Sequence, residues 1–349
     1  HRKGWIHIHD LDFYGWTTTC TQIELRKLFK GGFNTGHGHL REPKSIGSYA
    51  ALAAIAIQSN QNDQHGGQSI VDFDYAMADG VRLTYQRYLR EGEELWNTLR
   101  EASTVDDHWL TNFAMRKTIR DTYQAMEGLI HNLNTMHSRA GAQVPFSSIN
   151  YGMDTSWAGR LAMKQLLLAT EAGLGNGETP IFPIQIFRVK EGVSYNPGDP
   201  NYDLFRLAMR VSTKRLFPNF SFLDAPFNLQ YYKPGHPETE VAYMGCRTRV
   251  MGNVCGPEIA PGRGNLSFTS INLPRLAIEA HGDTQVFFTH LNNMLSYVMK
   301  QLLERFKVQA ARRARNFPFL MGEGVWLDSE KLKPDDPVLE VLRHGTLSI

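Results

Sequence analysis

The chain has 349 residues, of which 42% are hydrophobic and 21% are charged, a balance that is typical of a folded globular protein and excludes a disordered or fibrous one. Its formal net charge of +2 excludes a broad basic surface for binding duplex nucleic acid without sequence preference. Because no apolar run approaches the roughly 20 residues of a membrane-spanning helix, and no signal-peptide pattern opens the chain, we expect a cytoplasmic protein without a membrane partner.

The first part of the chain predicts a strand followed by mostly helical structure. Residues 1–14 alternate apolar and polar side chains as a strand does, and we expect Cys20 near a strand end. The alanine-rich segment 45–58 begins with Ser, which predicts a buried helix. Further patterns predict a polar loop over 59–69 and long helices over about 68–101 and 107–139.

The rest of the chain alternates short apolar runs with helical patterns. The predicted strands lie in residues 144–151, 183–189, 219–224, 241–245 and 265–273, and the predicted helices cover about 156–173, 202–215 and 283–312. Such alternation favours parallel strands in a barrel or an open sheet. Because no repeat or linker divides the sequence, we expect one main α/β domain with a helical insertion.

Three widely spaced cysteines, Cys20, Cys246 and Cys255, exclude a disulfide framework and a four-cysteine zinc site. Cys246 follows a short apolar run, where a loop could carry its sulfur into a cavity. Cys20 lies in a similar setting far away in sequence, so the two could meet inside a barrel. Both could equally be buried structural thiols, because free cysteine is among the most buried residue types.

Two asparagines stand at the two ends of the predicted strand in residues 265–273. Either Asn265 or Asn272 could direct its amide at a ligand. The alternative is that each one caps its own turn or helix, which is the commonest use of Asn at such places.

The amide-rich segment before the long helices is a candidate for binding ribose hydroxyls or a phosphate. Its candidate residues are Gln64, His65, Gly66, Gly67, Gln68 and Ser69. A solvated loop would have the same composition. Neither the dinucleotide-binding nor the P-loop glycine pattern occurs in the chain, so motifs do not locate a phosphate site.

A pair of histidines in WIHIHD provides the main competing hypothesis. His7 and His9 alternate on one strand face, a spacing that metal-dependent hydrolases with β/α barrels also use. A structural histidine pair is at least as common as a metal site. His37 and His39 repeat the spacing in a glycine-rich loop, where we expect a structural or solvated role.

Four segments together resemble class III ribonucleotide reductases, the anaerobic glycyl-radical ribonucleoside-triphosphate reductases. They are TTTC at 17–20, the segment 35–69, YMGCRTRV at 243–250 and GRGNLSFTSINLPR at 262–275. The resemblance runs along nearly the whole chain in the family's order. It implies a ten-stranded β/α barrel of two five-stranded parallel halves, of which residues 1–349 would form part, as an internal fragment of the large catalytic subunit. A finger loop, here residues 240–265, would pass through its centre.

The resemblance also implies a role for each matching site residue. Cys246 matches the cysteine at the finger tip, which becomes a thiyl radical and abstracts the substrate's 3′ hydrogen. Cys20 matches the second barrel cysteine, which donates a hydrogen as the 2′ hydroxyl leaves as water. Asn265 matches the asparagine of members that use formate as reductant, although loop lengths could bring Asn272 there instead. Cys255 matches no catalytic position.

Several family features fall outside these residues. They are the N-terminal ATP cone, the C-terminal glycyl-radical loop and its four-cysteine zinc site, so we expect this segment alone to be inactive. By resemblance, the helices within 68–139 pair across a homodimer and carry the site for ATP and deoxynucleoside triphosphate effectors. The expected partners are ribonucleoside triphosphate substrates and a radical S-adenosylmethionine activase with an iron–sulfur cluster.

Three hypotheses therefore stand at this point. The leading one is anaerobic reduction of ribonucleoside triphosphates by thiyl-radical chemistry. The others are a metal-dependent hydrolase that uses His7 and His9, and a catalytically silent nucleotide-binding remnant. A glycyl-radical enzyme of the formate-lyase type fits less well, because the sequence has no adjacent pair of cysteines.

Overall fold

A computed structural model describes residues 1–99, 106–139 and 141–349. The strands in chain order are β1 (Ile6–Ile8), β2 (Cys20–Ile23), β3 (Phe33–Asn34), β4 (His39–Leu40), β5 (Gln68–Ile70), β6 (Ser147–Tyr151), β7 (Ile184–Val189), β8 (Asn219–Phe222), β9 (Gly264–Ile271) and β10 (Thr346–Ser348). The α-helices are α1 (Leu25–Phe29), α2 (Ile46–Asp63), α3 (Phe73–Leu99), α4 (Asp107–Thr135), α5 (Trp157–Ala172), α6 (Tyr202–Arg215), α7 (Pro226–Leu229), α8 (Leu273–Glu279), α9 (Thr284–Ala310) and α10 (Leu339–Leu342). This alternation confirms the predicted α/β class.

The main sheet of the described residues has eight strands. Strands β2, β5, β6, β7 and β8 lie side by side in this order and are all parallel. Strand β9 pairs antiparallel with β2 and with β1, while β10 pairs parallel with β9. The five parallel strands agree with the predicted half-barrel, whereas the closed ten-stranded barrel stays a prediction.

The two faces of the parallel sheet differ in chemistry because side chains alternate along each strand. One row across the sheet joins Ile23, Ile70 and Ile149, all fully buried in the main hydrophobic core. The neighbouring row joins Gln22, Ser69 and Ser148, which are equally buried but polar. Parallel strands that are covered on both faces are usually apolar on both. The polar face must therefore pack against something that hydrogen-bonds to it.

Helix α2 is longer than the sequence predicted. It begins after Ser45, which forms a capping box with Ser48, and continues to Asp63, where a polar loop over 59–69 was expected. That prediction was wrong because the polar side chains at the end of the helix are buried and bonded. Gln61 donates to the carbonyls of Gln64 and Gly66 at 2.7 and 2.9 Å.

The long helical patterns are confirmed with shorter bounds. The first pattern, 68–101, forms strand β5 before α3 begins at Phe73, and residues 100 and 101 lie outside the described part of the chain. Helix α4 begins after Asp106, which accepts hydrogen bonds from two amides of its first turn. Helices α3 and α4 pack on each other and on α2 and α5. None of the described helices is long and apolar enough to cross a membrane.

Asp72 joins two elements through its buried carboxylate. It lies at the start of α3 and accepts the backbone amides of Leu25 and Arg26, at the start of α1, at 2.9 Å each. Burial and the nearby Glu24 raise the pKa of Asp72 to about 7, while the amides of Leu25 and Arg26 oppose this rise.

We expect Asp72→Asn to remove part of the pH dependence of stability. Because the pKa of Asp72 is higher in the folded than in the unfolded chain, its stabilising contribution is complete below pH 3.8 and is lost as the pH rises to about 7. Each pKa unit is worth about 1.4 kcal/mol. Urea unfolding between pH 4 and 7.5 should show a smaller loss for the variant than for the wild type. Equal losses would contradict this, and Asp203→Asn, at a largely exposed position, is the control.

Candidate active site

A hairpin that we call the finger, residues 240–263, crosses the polar face of the sheet. Tyr243 and Arg249 pair across it, and the tip turns at Gly245 and Cys246. The amide of Arg247 donates to the carbonyl of Met244 at 2.8 Å and closes the turn. The finger ends where β9 begins, slightly earlier than the predicted 240–265. The predicted strand at 241–245 is reduced to the single bridge at Tyr243.

Side chains of the polar face bind the backbone of the finger. Gln22 donates to the carbonyl of Ala242 at 2.9 Å, and Ser69 donates to the carbonyl of Tyr243 at 3.1 Å. Asn150 donates to the same carbonyl and accepts the amide of Tyr243, both at 2.9 Å. Sequence reasoning missed Gln22 and Asn150. The available signal was the presence of polar residues at alternate positions within otherwise apolar strands.

The finger brings the two predicted cysteines together. Cys20 is the first residue of β2, is fully buried, and packs against Met244 and Val250 of the finger. Cys246 is exposed and its sulfur lies 3.1 Å from the hydroxyl of Thr248. A thiol–thiol hydrogen bond lowers the pKa of Cys246 to about 6 and, together with burial, raises the pKa of Cys20. The fold thus places the finger tip next to Cys20, and the catalytic roles expected for the two thiols stay predictions.

Asn265 is the register partner of Cys20 on the neighbouring strand. Its side chain is buried, donates to Ser348 at 3.0 Å and accepts the amide of Ser267 at 3.2 Å. Asn272 instead caps α8, where its carbonyl accepts the amide of Arg275 at 3.1 Å. Of the two candidate asparagines, Asn265 is therefore the one beside the thiols.

The segment Gln64–Ser69 is packed into the site mainly as structure. Gln64 accepts the hydroxyl of Thr21 and donates to Thr18, both at 2.6 Å, and Gln68 donates to the carbonyl of Gly66 at 3.2 Å. These two amide side chains are thus occupied by protein groups. Ser69 holds the finger, as described above.

The two glycines of this segment lie against strand β2. The amide of Gly66 donates to the carbonyl of Thr19 at 2.7 Å, and a Cβ at Gly66 would lie 2.5 Å from that oxygen. The backbone amide of Gly67 lies near Cys20 and acts to lower the pKa of its thiol. Only glycine permits this approach, so the pair positions the backbone beside the buried thiol.

A cavity of about 750 Å³ opens beside His65. His65 stacks on Phe13, lies 2.7 Å from the hydroxyl of Thr17 and pairs with Asp10 at 3.4 Å. The neighbouring imidazole of His65 lowers the pKa of Asp10. On the opposite side, Arg139 donates to the carbonyl of His65 at 2.8 Å. The cavity therefore combines an aromatic wall with groups that can bind anions and hydroxyls.

The histidine pair of the competing hypothesis packs against aromatic rings. The rings of His7 and His9 meet edge to face at 4.4 Å, and His9 stacks on Phe268 at 4.0 Å and bonds to Ser270 at 2.8 Å. His39 contacts the carbonyl of Gly31 at 3.0 Å. Within residues 1–99, 106–139 and 141–349, no three His, Cys, Asp or Glu side chains are grouped to hold a metal ion.

The family model for anaerobic ribonucleoside-triphosphate reductases matches residues 1–349. The chain belongs to this family. It is 34% identical to the anaerobic ribonucleoside-triphosphate reductase of Escherichia coli (strain K12) over 354 residues, and 32% identical to that of Enterobacteria phage T4 over 358 residues. All of this chain aligns, but it covers 47% and 56% of those proteins, so it spans about half the length of the relatives.

Solved structures agree on the fold. The anaerobic ribonucleotide reductase of Thermotoga maritima in complex with dATP and CTP superposes with a TM-score of 0.64 and 15% identity, over 93% of this chain and 51% of that one. The same enzyme with dATP in its specificity site gives a TM-score of 0.62. The predicted family is thus confirmed, and the hydrolase hypothesis is set aside.

We expect Cys20→Ala to raise the pKa of Cys246. The hydrogen bond with Cys20 is the main reason for the lowered value, so its loss should move the Cys246 pKa from about 6 towards the ordinary thiol range near 8.5. The rate of alkylation by iodoacetamide, followed against pH by peptide mass spectrometry, measures this shift. Cys255, which is also exposed, serves as the internal reference in the same sample. An unchanged Cys246 profile would contradict the assigned contact.

Proposed function

We propose that this chain carries half of the catalytic barrel of a reductase that converts ribonucleoside triphosphates to deoxyribonucleoside triphosphates. The observation that carries the proposal is the pair of interacting thiols, with Cys246 at the finger tip and Cys20 on the strand beneath it. In this proposal Cys246 is the radical carrier and Cys20 is the hydrogen donor.

The chemistry suits these two groups. A glycyl radical in the complete protein would supply the unpaired electron. The Cys246 sulfur, once a thiyl radical, takes the 3′ hydrogen atom of the ribose, because S–H and activated C–H bonds are close enough in strength to exchange hydrogen atoms. Cys20 then donates a hydrogen as the 2′ hydroxyl leaves as water. Burial of Cys20 keeps solvent from competing for this step.

Formate is the reductant that we propose for the second half of the reaction. Formate would give its hydrogen atom to the Cys20 sulfur, and the carbon dioxide radical anion that remains would pass the second electron, with a proton from solvent, to the oxidised sugar and leave as carbon dioxide. The 3′ carbon would then take its hydrogen back from Cys246, which restores the thiyl radical. Asn265 is the group that would orient formate or a ribose hydroxyl, because it is the register partner of Cys20. Its amide would then exchange its hydrogen bond to Ser348 for one to the ligand.

The cavity beside His65 is the place that we propose for the nucleotide. Arg139 and His65 can bind phosphate or hydroxyl oxygens, and the ring of Phe13 offers a stacking surface for a base. Of the predicted substrate-binding segment, His65 is the residue that we propose for this role, and Gly66 and Gly67 hold the backbone behind it. The side chains of Gln64, Gln68 and Ser69 support them from behind.

The assembly around the barrel follows the family. We propose that further residues complete ten strands, and that the helices within 68–139 pair in a homodimer and bind nucleotide effectors. A radical S-adenosylmethionine activase would install the glycyl radical, and an ATP cone and a zinc site would belong to the complete protein. These proposals rest on the family relationship, and we place the enzyme in the cytoplasm on the same ground.

Cys246→Ser in the complete, activated protein tests the radical role. We expect deoxynucleotide formation to fall by at least about 10³-fold, because an O–H bond is too strong to replace the S–H bond in hydrogen-atom transfer. Nucleotide binding by calorimetry and the folded state should be unchanged. Cys255→Ser is the matched control and should keep full turnover.

Two outcomes would count against the proposal. Deoxynucleotide formation that survives Cys246→Ser would remove Cys246 from the chemistry. A complete wild-type protein that binds nucleotides but never reduces them, even with the activase and formate, would favour a silent nucleotide-binding remnant.

A further inference from the structure

A buried ion cluster stands at the root of the finger. Arg188 of β7 pairs with Asp74 of α3 at 3.2 Å and with Glu240, the first residue of the finger, at 2.9 Å. The three side chains are 1%, 0% and 5% exposed. Tyr75 donates its hydroxyl to Glu240 at 2.7 Å. The finger therefore starts from an ionic contact that water does not reach.

The other members of the cluster are fixed by rigid elements. One oxygen of Asp74 accepts the amides of Gly152, Met153 and Asp154 at 2.8, 2.8 and 3.1 Å. The other carboxylate oxygen of Asp74 pairs with Arg188. The guanidinium that binds Glu240 is therefore itself held in place by Asp74. The planar fork of arginine restricts the positions at which two carboxylates can both bind.

The second root of the finger is held by another buried arginine. Arg263 donates to the carbonyls of Met251 and Gly252 at 3.0 and 2.9 Å. These contacts are to backbone carbonyls, and within residues 1–99, 106–139 and 141–349 Arg263 forms no ion pair. The first half of the finger is therefore anchored by the ion pair at Glu240, six positions before Cys246.

We propose that Arg188 and Glu240 are positioning residues that set where the Cys246 sulfur stands relative to Cys20. The segment that leads from Glu240 towards the tip is short, and its residues Val241, Ala242 and Tyr243, like Glu240 itself, are buried or bonded to the sheet. Glu240 fixes one end of this segment and therefore acts together with Gln22 and Asn150 in setting where the segment, and the tip beyond it, lies on the sheet. The catalytic meaning of this role rests on the proposed function, whereas its effect on the thiols does not.

We expect the buried ion pair at Glu240 to select one position of the finger rather than to add much to the stability of the fold. Apolar residues would fill the same volume and tolerate several arrangements of the finger, whereas a desolvated charge pair penalises every arrangement that separates it. The cluster also holds two carboxylates for one guanidinium. Burial, and the charge of Asp74, raise the pKa of Glu240 to about 7, which Arg188 opposes.

Glu240→Gln and Arg188→Lys test the proposal in the purified chain. Glu240→Gln keeps the size of the side chain and removes its charge, and Arg188→Lys keeps the charge and removes the fork. Both should weaken the contact between Cys246 and Cys20, so the Cys246 alkylation profile should move to higher pH. At pH 7 the alkylation rate should fall on the order of tenfold as the pKa approaches the ordinary thiol value.

The matched control is Arg305→Lys. Arg305 is also 1% exposed and binds the carbonyls of Tyr14 and His9 at 2.7 and 2.9 Å, away from the finger. The Arg305→Lys variant should leave the pH profile of Cys246 alkylation at the wild-type position, even if the substitution lowers the melting temperature. Tyr75→Phe, which removes only the hydroxyl donated to Glu240, gives a milder test that should fold and should shift the profile in the same direction.

The outcomes separate cleanly. Folded Glu240→Gln and Tyr75→Phe variants with the wild-type Cys246 profile would overturn the proposal, as would an equal shift in Arg305→Lys, which would mean general loosening. The readout needs no nucleotide, radical or formate. A failure here therefore leaves the proposed reductase function untouched, and loss of that function would leave the positioning result standing.

Discussion

The site depends on one constraint: the finger is an isolated hairpin inside the protein, and its backbone groups need partners there. Each buried N–H or C=O group that lacks a hydrogen bond destabilises the folded protein by roughly 1–3 kcal/mol. Polar side chains on one face of the sheet supply these partners: Gln22, Ser69 and Asn150 bind the finger backbone. The same face carries Cys20, so the contacts that satisfy the finger also bring Cys246 to it.

The chemistry of the thiol pair follows from this placement. Cys20 is buried and donates, so its thiolate form is disfavoured, while Cys246 gains a hydrogen bond that stabilises its thiolate. Each titrates in the presence of the other, and the pair behaves as one coupled unit. Gly67 lies beside Cys20, where a Cβ would come within 2.8 Å of the ring of Phe146, so the absence of a side chain permits this approach.

Much of the fold could be predicted from the sequence, because the helices at 157–172, 202–215 and 284–310 have clear periodicity and polar or glycine boundaries. The end of α2 could not, since its amides form buried hydrogen bonds that composition does not distinguish from a solvated loop. The cysteines were found through their motifs. The positioning residues Arg188 and Glu240 were not, because a pair of opposite charges 52 positions apart has no local pattern.

The exposure of Cys246 sets a requirement on the reductase proposal. A thiyl radical survives only where competing hydrogen-atom donors and oxidants are excluded, yet Cys246 is exposed in this chain while Cys20 is buried. The proposal therefore needs a cover over the finger tip from outside residues 1–349, and the relatives, which are about twice as long, have further chain that could provide it. Such a cover would leave the Cys20 side unchanged, since β9 and the finger already close it. The asymmetry between the two thiols thus matches their proposed roles: the buried one exchanges hydrogen only with small molecules inside the site, and the open one must also receive the radical.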